Sequence, residues 1–95
     1  MKIAVSVDEE GLIIPHLGKA SWFKIYSKTG DSIEFIEEIE TSGNHTNHII
    51  DEINDCDVVI SGQIGEGMIE NLKSLGIKAI AITDTDDPIG AIERL

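Results

Sequence analysis

The sequence has 95 residues, of which 41% are hydrophobic and 26% are charged, a balance typical of one ordinary globular domain. Its formal net charge is −11, with 7 Lys and Arg against 18 Asp and Glu. Because phosphate backbones and anionic membrane surfaces are bound through Lys and Arg, this charge argues against nucleic-acid and membrane partners and favours cationic partners or metal ions.

The single cysteine, Cys56, has no partner for an internal disulfide. The chain starts in a strand pattern rather than a signal peptide, and no apolar run reaches the ~18 residues of a membrane helix. We therefore expect one cytoplasmic domain over residues 1–95.

An alternating pattern opens the chain. In residues 2–7, large apolar side chains alternate with the small Ala4 and Ser6, which is typical of a strand covered on both faces. Residues 8–18 follow as a turn and an irregular segment, because Pro15 would interrupt any strand ladder.

Two further strands are predicted over residues 22–28 and 32–40, joined as a hairpin by Thr29-Gly30-Asp31. Glu37 falls on the apolar face of the second strand, so we expect this strand to be twisted or at an edge of the sheet. The apolar residues that are expected to share that face are Ile33, Phe35 and Ile39.

Helical spacing begins in the second half of the chain. The first predicted helix follows a cap at Asn44 or Thr46. The second ends at Gly76 as a left-handed cap, and the third starts with Asp87 as N-cap and Pro88 in its first turn. The residues that these helices are expected to turn inward are Ile49, Ile50 and Ile53, then Met68, Ile69, Leu72 and Leu75, and finally Ile89, Ile92 and Leu95.

Residues 57–61 and 78–83 are short apolar runs typical of buried parallel strands. With a right-handed crossover between them, the order of elements predicts an α/β fold. It is a five-stranded mixed sheet with the first strand near the middle and helices on both faces. Ligands of such sheets bind beyond the carboxyl ends of the central strands.

Three histidines are candidate metal ligands. His16 lies in the irregular segment after the first strand, where a ligand is expected. His45 and His48 are three residues apart at a predicted helix start, a spacing at which two imidazoles can share a metal ion. The alternative is that His16 is a surface residue bonded to nearby backbone and that the pair are polar cap residues.

The turn after the buried strand is rich in glycine. Gly62 and Gly65 would let backbone amides approach an anionic ligand at a helix start. The spacing is neither that of a dinucleotide fingerprint nor that of a phosphate-binding P-loop, so a nucleotide site is not expected. Alternatively, the glycines only permit a tight strand-to-helix turn. Cys56 lies between Asp55 and Asp57, which disfavour a thiolate, so we expect a small buried hydrophobe.

A hydrolase is a further alternative. Asp8, Glu52, Asp57 and Asp84 supply carboxylates for a two-metal site. However, Asp8 follows the end of a strand and Asp57 precedes the start of one, which places them at opposite ends of the sheet. The minimal form of this alternative uses Asp8 and Asp84 with a divalent metal.

In several segments the chain resembles the dinitrogenase iron–molybdenum cofactor biosynthesis family, the NifX/NafY group that is also fused to the C-terminal end of some NifB proteins. The resemblance depends on the order and spacing of short motifs along almost the entire chain. These motifs are residues 1–8, Pro15-His16-Leu17-Gly18-Lys19-Ala20, Phe23-Lys24-Ile25-Tyr26 and Ser61-Gly62-Gln63-Ile64-Gly65.

The resemblance implies a ribonuclease H-like fold and a non-enzymatic protein that carries an iron–sulfur-based cluster, the iron–molybdenum cofactor or its precursor, between metal-cofactor assembly proteins. It assigns His16, His45 and His48 as metal ligands, and Gly62 and Gly65 as the glycine turn of the site. Three nitrogen donors without a cysteine would bind weakly and transiently, as a carrier requires. The alternative is a protein-interaction or regulatory module without a cofactor.

Overall fold

Seven secondary-structure elements occupy the part of the chain that the computed structural model describes, residues 1–15, 17, 22–40 and 53–95. They are strands β1 (Lys2–Val7), β2 (Trp22–Thr29), β3 (Ser32–Glu40) and β4 (Val58–Ser61), helix α1 (Glu66–Ser74), strand β5 (Lys78–Ala81) and helix α2 (Pro88–Glu93). The helix predicted after Asn44 lies outside the described residues except for Ile53, which is buried. Neither α1 nor α2 is long and apolar enough to cross a membrane.

The strands form one mixed sheet in the order β3-β2-β1-β4-β5. β1 pairs antiparallel with β2 and parallel with β4, and β4 pairs parallel with β5. The predicted α/β class, the five-stranded mixed sheet and the central first strand are confirmed. The carboxyl ends of the parallel strands β1, β4 and β5 lie at the same end of the sheet, beside the first residue of β2 and the last residue of β3. We call this end the carboxyl rim and define it by Val7, Trp22, Glu40, Ser61 and Ala81.

Adjacent residues of β1 belong to two different core clusters. Ala4 packs in one cluster with Leu72 of α1, and Val5 packs in the other with Ile92 of α2. Successive side chains of a strand point to opposite faces, so Ala4 and Val5 point to opposite faces of β1, and both are buried.

Three local predictions are confirmed. Gly30 turns the β2–β3 hairpin with φ of 60°, and Gly76 follows α1 with φ of 79°, a region that glycine enters without steric cost. At the start of α2, the side chain of Asp87 accepts a hydrogen bond from the Gly90 N–H at 3.1 Å, and Pro88 occupies the first turn.

The prediction that the apolar residues of β3 share one face is wrong. Phe35 and Glu37 pair with adjacent residues of β2, so Ile36 between them has no partner and forms a bulge. The bulge reverses the faces of the residues that follow. Ile33 and Ile39 therefore pack against different core clusters. The expected position of the strand at an edge of the sheet is confirmed.

The predicted inward faces of the helices are too wide. Met68, Leu72 and Ile92 are buried as expected, but four other predicted core residues are exposed, namely Ile69, Leu75, Ile89 and Leu95. A short helix on a sheet buries only the narrow stripe that faces it. The strand predicted over residues 78–83 ends at Ala81. The prediction that it is buried is wrong, because β5 is an edge strand, and Lys78 and Ala81 are exposed.

Candidate functional site

A cavity of about 680 Å³ opens at the carboxyl rim. Its walls come from the segment after β1, the turn after β4 and the segment after β5. Three carboxylates, Asp8, Asp84 and Asp86, are among the lining residues. The position is the usual one for a ligand of an α/β sheet.

Two of these carboxylates have structural partners. The Oδ1 atom of Asp8 accepts the N–H groups of Glu10 at 2.9 Å and Leu12 at 3.1 Å, which fixes the turn after β1. Asp84 pairs with Arg94 at 2.6 Å, and this hydrogen bond holds the pKa of the Asp84 carboxyl below its usual range. The cavity is therefore negative at neutral pH and suits cations better than anions.

The irregular segment after β1 is fixed by backbone hydrogen bonds to other elements. The Ile13 N–H donates to the carbonyl of Asp86 at 2.8 Å, and the Ile14 N–H donates to the carbonyl of Ser6 at 3.0 Å. Further along, Leu17 is 1% exposed and belongs to the core cluster of α1. Residues 13–15 and Leu17 are thus held at the rim by backbone bonds and by the core.

Gly62 is a point of close backbone approach to this segment. Its N–H donates to the Ile14 carbonyl at 3.0 Å, and the next N–H, of Gln63, donates to the Pro15 carbonyl. A Cβ at position 62 would lie 2.7 Å from the Pro15 Cα and 2.9 Å from the Ile14 oxygen. Only glycine fits such a contact, and its amide is engaged within the chain.

Gly65 has a different environment. It is the N-cap of α1, with φ of −64° and ψ of 151°, and a Cβ there would meet nothing within 4 Å. The first N–H groups of a helix lack partners within the helix, and its N-terminus carries a partial positive charge. Of the two predicted glycines, Gly65 is therefore the one that borders open space.

A pair of buried serines lies beneath the segment. Ser6 and Ser61 are both 0% exposed, and their hydroxyl oxygens are 2.7 Å apart, with Ser6 as donor. The Ser61 hydroxyl in turn donates to the Ile14 carbonyl at 3.4 Å. Sequence reasoning treated Ser6 only as a small residue. The available signal was a polar residue near the end of each of two apolar strands.

Cys56 lies at the opposite end of β4 from the carboxyl rim. It is 5% exposed and packs in the core cluster of α1, which confirms the prediction of a small buried hydrophobe. Burial, together with the neighbouring Asp55 carboxylate, raises the pKa of the Cys56 thiol to about 11. A thiol that stays protonated at neutral pH is a poor metal ligand.

The three predicted metal ligands, His16, His45 and His48, all lie outside the described residues. On either side of His16, Pro15 and Leu17 are placed at the carboxyl rim by their contacts with Gln63. Within residues 1–15, 17, 22–40 and 53–95, no three His, Cys, Asp or Glu side chains are grouped so that they could hold a metal ion.

Among the described carboxylates of the hydrolase alternative, Asp57 is separated from Asp8 and Asp84. Asp8 and Asp84 line the same cavity. Asp57 lies at the other end of the sheet, where its side chain accepts the Lys2 N–H at 2.8 Å, and Glu52 is outside the described residues. The set of four is therefore divided as the strand positions predicted, since Asp8 follows β1 and Asp57 precedes β4.

A family model described as "Dinitrogenase iron-molybdenum cofactor" matches residues 1–95. The structure of PH0822 aligns with a TM-score of 0.79 at 24% identity, over 99% of this chain and 91% of that chain. The apo form of the orange protein from Desulfovibrio gigas aligns with a TM-score of 0.76 at 19% identity, over 98% and 84%.

A protein of Methanocaldococcus jannaschii that is provisionally described as a dinitrogenase aligns with a TM-score of 0.72 at 16% identity, over 98% of this chain and 85% of that chain. At these identities the structural similarities show a shared fold. No match was found among curated proteins.

Proposed function

The chain belongs to the dinitrogenase iron-molybdenum cofactor family, and from this premise we propose that it binds and carries an iron–sulfur-based cluster. The cargo is the iron–molybdenum cofactor or its precursor, and the partners are the proteins that assemble it. The observation that carries the proposal is the family match over residues 1–95. The orange protein, a structural relative, was solved in an apo form, a term used for proteins that also bind a further group.

The chemistry of the ligands supports a carrier rather than a permanent holder. The chain has one cysteine and three histidines, and the thiol of Cys56 is buried with a pKa of about 11. We therefore propose imidazole ligands, from His16, His45 and His48, and no thiolate. Without thiolates the cluster would be held weakly, so it would be released quickly to the next protein.

The proposed position of the cargo is the Gly65 side of the carboxyl rim. The sulfides of a cluster carry negative charge, which the carboxylates of Asp8, Asp84 and Asp86 in the adjacent cavity would repel. The start of α1 at Gly65 offers open space and the positive end of a helix dipole, and its first turn carries one exposed carboxylate, Glu66, against three in the cavity. Gly62 contributes by holding the Pro15 backbone in place.

We also infer a ribonuclease H-like fold with helices on both faces of the sheet. The strand order β3-β2-β1-β4-β5 supports this inference, as does the packing of α1 and α2 into separate clusters. An experimental structure that placed both helices on one face would contradict it.

Anaerobic incubation with isolated cofactor, followed by gel filtration and metal analysis, tests the carrier function. We expect iron and molybdenum to co-elute with the protein, and His16→Ala and His45→Ala each to lose most of that metal. Asn71→Ala, an exposed polar substitution on α1, is the matched control and should retain it. Absence of co-eluting metal from the unsubstituted protein, or full retention by both histidine variants, would contradict the proposal.

A further inference from the structure

The outer edge of β3 combines open backbone with exposed apolar side chains. β3 is the last strand on its side of the sheet and, within the described ranges, pairs only with β2. It is 9 residues long. Phe35 is 52% exposed and Ile36 is 46% exposed. A long, exposed edge strand is a template for the addition of another strand. The bulge at Ile36 and the charges of β3 work against indiscriminate pairing, so only a segment that complements both can add.

The same strand is strongly acidic on both of its faces. Glu37 lies opposite Ile25 and Glu38 lies opposite Lys24, and adjacent residues point to opposite faces. The strand contains no Lys or Arg. Its four acidic residues are Glu34, Glu37, Glu38 and Glu40.

The glutamates of β3 have no ion-pair partner in the described part of the chain. The ion pairs found there join Lys2 to Asp55 and Arg94 to Asp84, and none of them involves β3. Two copies of β3 side by side would bring like charges together, which is unfavourable. The acidic side chains therefore oppose pairing with a second copy of this chain.

From this combination we propose that β3 is the docking edge for an extended, basic segment of a partner protein, which adds to the sheet as a sixth strand. Backbone hydrogen bonds along β3 would supply affinity, and lysine or arginine side chains on both faces would meet the glutamates. Apolar side chains of the incoming segment would cover Phe35 and Ile36. The surface goes beyond the proposed carrier function and does not depend on bound cluster.

A synthetic peptide tests the proposal with the intact protein. The probe has 9 residues to match β3 and contains valine, threonine and lysine, with lysines on both faces of the extended chain. We expect saturable binding in fluorescence anisotropy and slowed hydrogen exchange in residues 32–40. A peptide with glutamate in place of lysine should not bind. A peptide with the lysines kept but alternate amides N-methylated should bind at least about tenfold more weakly, because strand pairing is lost.

Two double variants with the same total change of charge distinguish binding at this edge from attraction to the overall negative charge of the protein. Glu34→Lys with Glu38→Lys reverses charge on β3, and Glu66→Lys with Glu70→Lys reverses it on exposed positions of α1. The assay uses roughly 0.15 M salt, where the Debye length is about 8 Å. The β3 variant should bind the peptide at least about tenfold more weakly, and the α1 variant within about twofold of the original affinity.

Equal losses in the two variants would overturn the proposal, since they would indicate attraction to net charge alone. Equal binding of the N-methylated peptide would also overturn it, and so would absence of binding to the unsubstituted protein. Sedimentation as a dimer that the β3 variant disrupts would show that a second copy occupies the edge instead. Circular dichroism of each variant confirms that the exposed substitutions leave the fold intact.

Discussion

Replacing Gly62 with alanine would place a methyl group 2.7 Å from the Cα of Pro15 and 2.8 Å from its carbonyl oxygen. Real Cβ atoms do not approach backbone atoms so closely, and neither neighbour is the flexible end of a side chain. The segment after β1 and the turn after β4 would have to move apart. That movement would stretch the hydrogen bonds that Gly62 and Gln63 donate to this segment.

The expected cost of Gly62→Ala follows from these contacts. The two hydrogen bonds are stretched but not lost, so together they cost about 1 kcal/mol, the worth of one bond, and overpacking of a close contact costs about 1–3 kcal/mol. We therefore expect a loss of roughly 2–4 kcal/mol from a total stability of about 5–15 kcal/mol for such a domain. In a domain of this size, that loss lowers Tm by roughly 10–20 °C.

Thermal unfolding followed by circular dichroism measures the effect, and Gly65→Ala is the matched control. An alanine at Gly65 meets nothing within 4 Å, and its φ of −64° is ordinary for any residue. Loss of the N-cap glycine should cost at most about 1 kcal/mol. If the two variants melt at the same temperature, the close approach of Gly62 to Pro15 does not limit the fold, and the reasoning is refuted.

Three further predictions concern single interactions. Asp87→Ala removes the side chain that accepts the Gly90 N–H, so urea unfolding should show a loss of about 1 kcal/mol that Asp87→Asn largely avoids. Burial raises the pKa of Cys56 to about 11. The stability that this buried, protonated thiol contributes is therefore complete below the unfolded pKa of about 8.5 and is lost as the pH rises towards the folded value. The free energy of unfolding should thus fall by roughly 2–3 kcal/mol between these pH values, and a Cys56→Ala variant with the same decline would contradict this origin. Ser61→Ala removes the nearer acceptor of the buried Ser6 hydroxyl and leaves it the Ile60 carbonyl at 3.4 Å, so it should cost about 1 kcal/mol; a double-mutant cycle with Ser6→Ala should give a smaller loss than the sum, and strict additivity would exclude the bond.

Features that depend on a few adjacent residues could be predicted from the sequence. The turn at Gly30, the left-handed glycine at Gly76 and the cap at Asp87 are all present, because their chemistry is local. The central place of β1 also followed from its pattern. A strand with small residues at alternate positions is suited to neighbours on both sides and a helix above it.

Features that depend on distant partners were missed. The bulge at Ile36 arises from pairing with β2. Glu37 on the expected apolar face of β3 signalled an irregularity, but it did not identify a bulge. Ser6 and Ser61 are 55 positions apart, so their bond needs the pairing of β1 with β4. For the candidate site, the sequence locates the glycine turn between β4 and α1, but only the fold distinguishes the packed Gly62 from the open Gly65.

The backbone from Ile13 to Pro15 is tied to three separate parts of the chain, through Asp86, Ser6 and the turn that begins at Gly62. Its amides should exchange with solvent as slowly as those of a strand, although it has no regular structure. A ligand that binds beside this segment would find its backbone already ordered, so little conformational entropy of the segment would be lost on binding. As far as residues 13–15 are concerned, the rate of departure would then depend on the strength of the contacts with the ligand.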